Sequence, residues 1–389
     1  MHMEIIIAVA MGILAFIGVC FILCLSVDAV CFIKPKLSHR NIKGYNDFIA
    51  WKESVIKCAL KWKKKMPTVR LKDDERLVLL DILKKQYRHA SVQGWQYAQL
   101  LCGLKEAGAD LSGVQVIQNE DIREIDEGFL LYHTWTANLL SLADVEKHME
   151  KYLHILQLRT RDNGLIEYRS GFGDVCLVDT LAFVCPLLVK FGVYKGNDDL
   201  IQKAMLQIEA YHKYGYIKEF GLYAHAYDSS KQLPCEAIGW GRGTGWFALG
   251  LLNCYRELPD GREEKERLKA LIKEVLTNIV PLQAQDGGWC TQLVGQWNYD
   301  SSVTAIFTYF ILCASNLFEE KERYLETVQK AIRKLMSVTT PKGAIDYCEG
   351  DCHGIGKYSK LYTVSPFTQG MTLLLITEYQ EEMSKKNGK

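Results

Sequence analysis

The chain has 389 residues, of which 48% are hydrophobic and 24% are charged, with 47 Lys and Arg against 46 Asp and Glu. This composition is that of a globular protein and excludes a disordered or collagen-like chain. The net charge of +1 gives no electrostatic basis for nucleic-acid binding, so no nucleic-acid partner is predicted.

The N-terminal residues 1–40 are predicted to form a membrane anchor with a basic flank, separate from a domain that spans residues 41–389. No charged residue lies between Ile5 and Val27, and a helix of this length spans about 30 Å of hydrocarbon. A cleaved secretory signal is the alternative. The segment lacks a basic n-region, however, and is longer than an h-region. We therefore expect an uncleaved, single-pass anchor through residues 5–27.

The charges around this segment predict its orientation. Four basic residues, at positions 34, 36, 40 and 43, follow the apolar run, whereas no Lys or Arg precedes it. The positive-inside rule then places the large domain in the cytosol. Two observations agree: no Asn lies in an Asn-x-Ser/Thr sequon, and cysteines such as Cys185 and Cys254 lie inside apolar helical runs. A lumenal orientation is the alternative.

Helical spacing of apolar residues recurs from about Tyr45 onward, without the sustained alternation that is typical of strands. The predicted helices are Glu75–Tyr87, Gln93–Glu106, Gly128–Leu142, Val145–Leu158, Val178–Lys190, Leu200–Tyr211, Gly245–Arg256, Glu264–Leu282, Ser302–Leu317, Lys321–Leu335 and Pro366–Glu382.

A short turn motif separates these helices: a small or polar residue, a glycine, then apolar residues. Its glycines are Gly164, Gly221, Gly288 and Gly343, which are 57, 67 and 55 residues apart. Two helices of about 15 residues with their loops fill such a period, and units of this kind bury their faces only by stacking. About 340 residues at this period make six helical hairpins, so we predict an all-α (α/α)6 toroid. An open solenoid is the alternative.

Two of the loops carry residues suited to chemistry. In the first, Tyr168 and Arg169 precede Asp179, which begins an apolar helix. Asp179 could act as an N-cap, or as a carboxyl group at the mouth of the toroid with a pKa tuned for acid–base work. In the second, His225 lies between two tyrosines, which suits a sugar-binding wall better than a core.

A third loop alternates glycines with special residues around positions 239–246. It is a poor dinucleotide fingerprint, because no strand precedes it. Trp240 and Trp246 would supply flat apolar walls, and Arg242 a planar bidentate donor at a helix N-terminus. This combination favours a carboxylated sugar as ligand. A structural glycine-rich turn with Arg242 in solvent is the alternative.

A fourth loop pairs Asp286 and Trp289 with Asp300, and these residues could either line the same cavity or cap helices. Cys348 and Cys352, with the adjacent histidine at 353, lack a second ligand pair at zinc-like spacing. No metal site and no cofactor is therefore predicted.

Together these motifs resemble the unsaturated rhamnogalacturonyl hydrolases of glycoside hydrolase family 105, with the unsaturated glucuronyl hydrolases of family 88 as a second, weaker match. The resemblance covers roughly residues 70–385 and extends to Gly288-Trp289, the run 301–305 and Phe367–Gly370. It implies an (α/α)6 barrel, in agreement with the repeat count. It also implies a hydrolase of oligosaccharides that carry a 4,5-unsaturated uronic acid at the non-reducing end, acting by hydration of the C4=C5 double bond.

The resemblance implies a role for each site residue. Asp179 would protonate C4 and help to activate the water that adds at C5. Asp126, which lies 53 residues upstream, would bind sugar hydroxyls and influence the protonation of Asp179. Arg242 would hold the uronate carboxylate. The implied substrate-binding residues are Tyr168, Arg169, His225, Trp240, Arg242 and Trp246.

Several positions depart from the family pattern and leave the identity of the sugar open. Thr244 replaces an Asn, Leu177 a Trp, Tyr168 a His and Asp300 a Glu. Two functions of other classes also stay open: a non-catalytic, membrane-anchored toroid that binds glycans or a protein, and an inverting glycosidase that uses two carboxylates. The oligomeric state is not predicted.

Overall fold

The fold is given by a computed structural model that describes residues 1–40, 42–67, 69–70, 89–90, 94–114, 124–236, 239–295, 297–352, 354–359 and 361–387. Its helices are α1 (His2–Arg40), α2 (Phe48–Lys64), α3 (Gly94–Glu106), α4 (Glu127–Thr136), α5 (Leu142–Arg159), α6 (Asp179–Phe183), α7 (Cys185–Lys195), α8 (Asp198–Tyr214), α9 (Gly241–Glu257), α10 (Glu263–Ile279), α11 (Ser301–Ser315), α12 (Glu322–Ser337) and α13 (Pro366–Asn387). The predicted helix Glu75–Tyr87 lies outside the described residues.

The strands within these ranges have two or three residues each and lie in the loops between helices. They are β1 (Val69–Arg70), β2 (His89–Ala90), β3 (Val175–Leu177), β4 (Tyr216–Ile217), β5 (Leu222–Tyr223), β6 (Ala226–Asp228), β7 (Leu233–Pro234), β8 (Cys348–Glu349) and β9 (Tyr362–Thr363). All pairings are antiparallel, and the largest sheet has the order β3-β6-β7. Their role is to hold loops in register rather than to build a core.

Six helical positions form a closed inner ring. In order around the ring, α3 contacts α4, α4 contacts the α6–α7 pair, and that pair contacts α9, which contacts α11, which contacts α13. The ring closes because α13 packs against α3, where the backbones lie so close that a Cβ on Gly103 would overlap the Gly370 backbone and a Cβ on Gly370 would overlap the Gln99 backbone. The prediction of an (α/α)6 toroid is confirmed, and closure excludes the open solenoid.

Inner and outer helices differ in their burial. Every residue of the inner helix α11 is buried, since packed neighbours surround it. The outer helix α12 buries only one face, which includes Tyr324, Val328 and Leu335, and turns its charged face to solvent. The helices α2, α5, α8 and α10 each pack against inner helices and likewise bury one face.

The predicted helix Val178–Lys190 is divided into α6 and α7. Val184 ends the first helix by donating its N–H to the Thr180 carbonyl, and Pro186 lies in the first turn of the second. Proline has no N–H to continue the helix, but it suits a helix start. The break leaves α6 as a short segment that presents Asp179 at its first position.

The recurrent turns are present, with one correction to their alignment. Gly164, Gly287 and Gly343 have φ of +80°, +93° and +80°, and each donates its N–H to the carbonyl three residues earlier. The sequence motif assigns the turn glycine to Gly288, and this assignment is wrong by one residue. The left-handed conformation falls on the residue after Asp286, as it does after Asn163 in the first turn.

Helix α1 carries the apolar run. Its stretch His2–Val27 has a mean hydropathy of 3.0 and is not buried against any described part of the chain, so it is long and apolar enough to cross a membrane. A signal sequence would meet the same criterion. Near the other end of the helix, His39 bonds to Asp346 (3.1 Å between Nε2 and Oδ1) and stacks on Tyr347. The division at residue 40 stays a prediction.

Candidate active site

The loops that precede the inner helices surround a cavity of about 130 Å³ at one end of the toroid. Seven of the eight residues predicted from the sequence line it: Asp126, Tyr168, Arg169, Asp179, Trp240, Arg242 and Trp246. The eighth, His225, lies directly behind Asp179. These eight residues span more than 100 positions of the chain, so the toroid brings together groups that are remote in sequence.

Strand pairing positions Asp179. In the β3–β6 pair, Leu177 lies opposite Ala226, and Val178 donates its N–H to the His225 carbonyl at 3.0 Å. The next residue, Asp179, then has its Oδ2 3.6 Å from Nε2 of His225. Helix α6 begins at Asp179 with Val178 at the N-cap position, and Asp179 Oδ2 has no hydrogen-bond partner among the described residues. The N-cap interpretation of Asp179 is therefore wrong, and the carboxylate faces the cavity.

His225 is buried beside this carboxylate. Its ring packs against Trp240, with 4.5 Å between the ring centroids. Burial opposes the charged imidazolium. The interactions with Asp179, whose carboxylate lies 3.6 Å away, and with Cys352 outweigh burial and raise the pKa of His225 to about 10. The imidazole is thus a cation at neutral pH, in contact with the carboxylate that is expected to do the chemistry.

A second charge pair lies across the cavity. Arg169 Nη2 is 3.7 Å from Asp126 Oδ2, and the guanidinium lies over the ring of Tyr168. Burial raises the pKa of Asp126, Arg169 opposes this shift, and the charges of Glu124 and Asp179 reinforce it. The Arg169 side chain is 51% exposed, so this cation can still reach a ligand.

Arg242 faces the loop after β8. Its Nη1 donates to the Glu349 carbonyl at 2.8 Å, its Nη2 donates to the Gly350 carbonyl at 2.6 Å, and the Glu349 carboxylate lies 3.6 Å away. The same carboxylate accepts a hydrogen bond from Nε1 of Trp240 at 3.1 Å. The alternative that placed Arg242 in solvent is wrong, because the residue is buried.

Aromatic rings form the floor of the cavity. Trp246 packs edge-on against Trp95, Phe183 and Phe367, with 5.1–5.9 Å between ring centroids, and Phe129 completes the cluster. This layer closes the centre of the ring below the charged groups. It excludes water from one side of the site and strengthens the charge interactions above it.

The fourth loop is structural. Asp300 is the N-cap of α11, and its Oδ1 accepts hydrogen bonds from the N–H groups of Ser302 and Glu349 at 2.8 and 3.2 Å. Asp286 pairs with Lys334, and Trp289 is fully buried. Of the two interpretations of this loop, helix capping is the one observed.

Sequence reasoning missed part of the cavity wall. Asp351 and Cys352 line it, and Tyr358 stacks on Trp240 and donates a hydrogen bond to Glu236. These residues carry no local motif that predicts a place in the cavity wall. The sequence pattern around Cys352 had been considered only as a metal site. Within the described ranges no group of three or more His, Cys, Asp or Glu side chains is placed to hold a metal ion.

Comparison with known proteins gives the family. The model of Glycosyl Hydrolase Family 88 matches residues 106–383. The chain belongs to this family. The predicted resemblance and the predicted enzyme class, a glycoside hydrolase, are thereby confirmed.

Individual members of the two related families are also similar. The unsaturated rhamnogalacturonyl hydrolase YesR of Bacillus subtilis is 23% identical over 57% of this chain and 64% of its own length. A solved structure from Salmonella enterica serovar Paratyphi A, described as a possible member of family 105, has a TM-score of 0.70 and 18% identity over 87% of this chain and 96% of its own. The unsaturated glucuronyl hydrolase of Bacillus sp. GL1 has a TM-score of 0.64 and 16% identity over 84% of this chain and 95% of its own.

Proposed function

We propose that this family 88 chain removes a 4,5-unsaturated uronic acid from the non-reducing end of oligosaccharides by hydrating its C4=C5 double bond. The observation that carries the proposal is the 3.6 Å pair of Asp179 and His225 beside the Asp126–Arg169 pair in one cavity. The names of the relatives, which act on unsaturated rhamnogalacturonyl and glucuronyl substrates, support the substrate class.

Asp179 is the proposed acid and base. Its carboxyl group transfers a proton to C4, and the oxygen of a water molecule bonds to C5. The water proton passes to the carboxylate, which restores the starting state. The C4=C5 bond is thus replaced by a C4–H and a C5–OH bond. The resulting hemiketal opens by breaking the bond between C5 and the ring oxygen, which gives a ketone at C5 and a hemiacetal at C1. The hemiacetal collapses to an aldehyde as its bond to the aglycone oxygen breaks, and the aglycone leaves as an alcohol.

His225 supplies the proton to this step. Because its pKa is raised to about 10, the Asp179–His225 pair holds one exchangeable proton at neutral pH. Binding of the sugar ring excludes water from the site and removes the solvation of both charged groups, which favours transfer of the proton from the imidazolium to the carboxylate.

Arg169 and Asp126 are proposed to bind the unsaturated sugar. The half-exposed guanidinium of Arg169 is placed to bind the uronate carboxylate, and Asp126 to accept hydrogen bonds from hydroxyls. Arg242 already donates to two backbone carbonyls, so we assign it the positioning of the loop that carries Asp351. Trp240 and Trp246 would form the apolar walls.

An absorbance assay tests the function. The full chain, solubilised in detergent, is incubated with a panel of lyase-generated disaccharides that contain the conjugated double bond, and with their saturated counterparts. We expect loss of the chromophore with the unsaturated sugars and no cleavage of the saturated ones. An inverting glycosidase would cleave the saturated glycosides and preserve the chromophore, and a non-catalytic binding protein would change neither.

We also propose that α1 anchors the chain in a membrane with the toroid in the cytosol. The uncharged stretch through Val27 and the basic residues that follow it support this topology. A protease added to sealed vesicles, with the cytosolic face outward, should digest a C-terminal tag. The intact chain should retain its first residues. Secretion of a shortened chain that begins after Val27 would contradict the anchor.

A further inference from the structure

A second cavity lies on the other side of the aromatic floor. Its volume is about 320 Å³, and it opens at the end of the toroid where the inner helices terminate. None of its lining residues takes part in the candidate active site. It is large enough for on the order of ten water molecules at about 30 Å³ each.

Regular helical spacing builds this cavity. On α3, the floor residue Trp95 is followed by Gln99 and then by Glu106 on the same inward face. On α4, Phe129 is followed by His133. Four residues rise about 6 Å along a helix, so the polar side chains lie one turn below the aromatic layer. The inward faces of these helices thus change from aromatic to polar along the barrel axis. A barrel whose centre was filled by its own side chains would be apolar along its whole length.

The deep polar groups lack partners. Neither amide atom of Gln99 and neither ring nitrogen of His133 has a hydrogen-bond partner among the described residues. Gln99 is 0% exposed and His133 is 7% exposed. Leaving a buried polar group unsatisfied costs about 1–3 kcal/mol, so two such residues in one cavity indicate that something occupies it.

The lining favours an uncharged occupant. Burial, together with the charge of Lys190, lowers the pKa of His133 to about 3, so this ring is neutral and offers one donor and one acceptor. Gln99 and Asn253 also offer both. The charged side chains of the lining are exposed or half-buried and are Glu106, Arg256, Glu257, Glu378 and Glu381. Of these, Glu257 is already paired with Lys190 and Tyr132, and Arg256 with the Tyr309 hydroxyl. A site for an anion would need hydrogen-bond donors only, and a site for a cation would need acceptors only. Hydroxyl groups both donate and accept, which matches these side chains.

The walls add apolar surface beside these groups. Tyr132 and Tyr309 line the cavity, together with Leu249 and Met371. Aromatic and aliphatic faces next to mixed donors and acceptors match a ring that has both C–H faces and hydroxyl edges. We propose that this cavity is a second binding site, for a neutral polyhydroxylated ring such as an uncharged monosaccharide or a cyclic polyol.

Thermal melting of the full chain tests the proposal. The chain is solubilised in a detergent without a sugar head group and melted with D-galactose, L-rhamnose or myo-inositol. At ten times the dissociation constant, a ligand of the folded state should raise Tm by roughly 2 °C. Sugars also raise Tm by exclusion from protein surfaces. The readout is therefore the difference between the wild type and Gln99→Met, which keeps the shape of the side chain and removes its polar atoms.

The expected result is a sugar-dependent rise in the wild type that Gln99→Met loses. His133→Phe and Asn253→Leu are further variants, should Gln99→Met not fold. The active-site variant Asp179→Asn should keep the rise. Three results would overturn the proposal. Equal shifts in Tm in the wild type and in the cavity variants would mean that the cavity holds only water, and loss of the rise in Asp179→Asn would mean that the sugar binds elsewhere. A rise in Tm with spermidine but not with the sugars, lost in the cavity variants, would mean that the cavity binds a cation.

Discussion

The two ends of the toroid are built on the same inner helices, yet their buried polar groups are arranged differently. At the active-site end, charged groups occur in pairs: Asp179 with His225, and Asp126 with Arg169. At the other end, Gln99 and His133 are buried and neutral, without hydrogen-bond partners in the described part of the chain. A layer of aromatic rings separates the two.

The difference shows how one scaffold can serve two kinds of recognition. Loops before the inner helices reach far enough to bring carboxylates and cations together, which suits acid–base chemistry on a charged sugar. The end below the aromatic layer is built from helix faces, so its groups are spaced by the helical repeat. Removal of a buried polar group should consequently lower the free energy of unfolding at the active-site end and change it little at the other end.

The largest effect on stability is expected for Glu349→Gln. The carboxylate is fully buried and is shared by Arg242 and Trp240, so its neutralisation leaves a buried guanidinium with reduced compensation. We expect a loss of about 3 kcal/mol, seen as a fall in Tm of roughly 4 °C. Glu381→Gln, at the exposed rim of the second cavity, is the control and should be neutral. An unchanged Tm in Glu349→Gln would show that the loop is not held by this pair.

His225→Gln should lower kcat about 100-fold at pH 7, because the amide cannot supply a proton to Asp179.

The same variant should also change how the stability of the chain depends on pH. The pKa of His225 is raised from 6.5 to about 10, so the stability that its charge contributes is complete below pH 6.5 and is lost as the pH rises towards 10. The difference in Tm between the wild type and the variant should shrink over this interval. A constant difference would argue against a charged His225.

A smaller effect is expected for Arg169→Met. Loss of one charge-assisted contact to the uronate should raise KM about tenfold. The charge of Arg169 lowers the pKa of Asp126, against the effect of burial, so its removal should move the acidic limb of the kcat/KM profile to higher pH. Arg169→Lys keeps the charge and should leave that limb in place. If both variants shift the limb equally, the charge is not the cause.

The smallest effect is expected for Gln99→Met, in the absence of any sugar. Its amide has no hydrogen-bond partner in the described ranges, so an apolar side chain of similar shape should change the free energy of unfolding by less than about 1 kcal/mol, or stabilise the chain. Thermal melting beside Glu349→Gln makes the comparison direct. A large destabilisation of Gln99→Met would show that both ends depend on polar contacts alike.

Much of this architecture could be predicted from the sequence, because apolar periodicity and the recurrent turns act locally. Ten of the eleven predicted helices lie on described residues, and each overlaps an observed helix. The differences are that Gly128–Leu142 ends at Thr136, Gly245–Arg256 begins at Gly241, Val178–Lys190 is broken before Pro186, and α2 has no predicted counterpart. Three loop motifs also sufficed to place Asp179, Arg169 and Trp246 at one cavity, since residues just before inner helices must converge when the ring closes.

The remainder depends on contacts between distant residues. Glu349 accepts a hydrogen bond from Trp240, which lies 109 positions away in the chain, and no spacing in the sequence predicts that pair. The β3–β6 pairing that brings His225 to Asp179 uses strands of three residues, which are too short to show a period. Gln99 and His133 have helical spacing, but their role is visible only once the inward face of each helix is known.

The central claim is that Asp179 protonates an unsaturated sugar in the cavity of the candidate active site. The most direct measurement is the rate of chromophore loss from an unsaturated disaccharide, compared between the wild type and Asp179→Asn. The amide has nearly the same shape but cannot transfer the proton, so we expect a fall in kcat of about 1,000-fold, while the variant still melts in a single cooperative transition. Full activity in a folded Asp179→Asn would contradict the assignment of the acid.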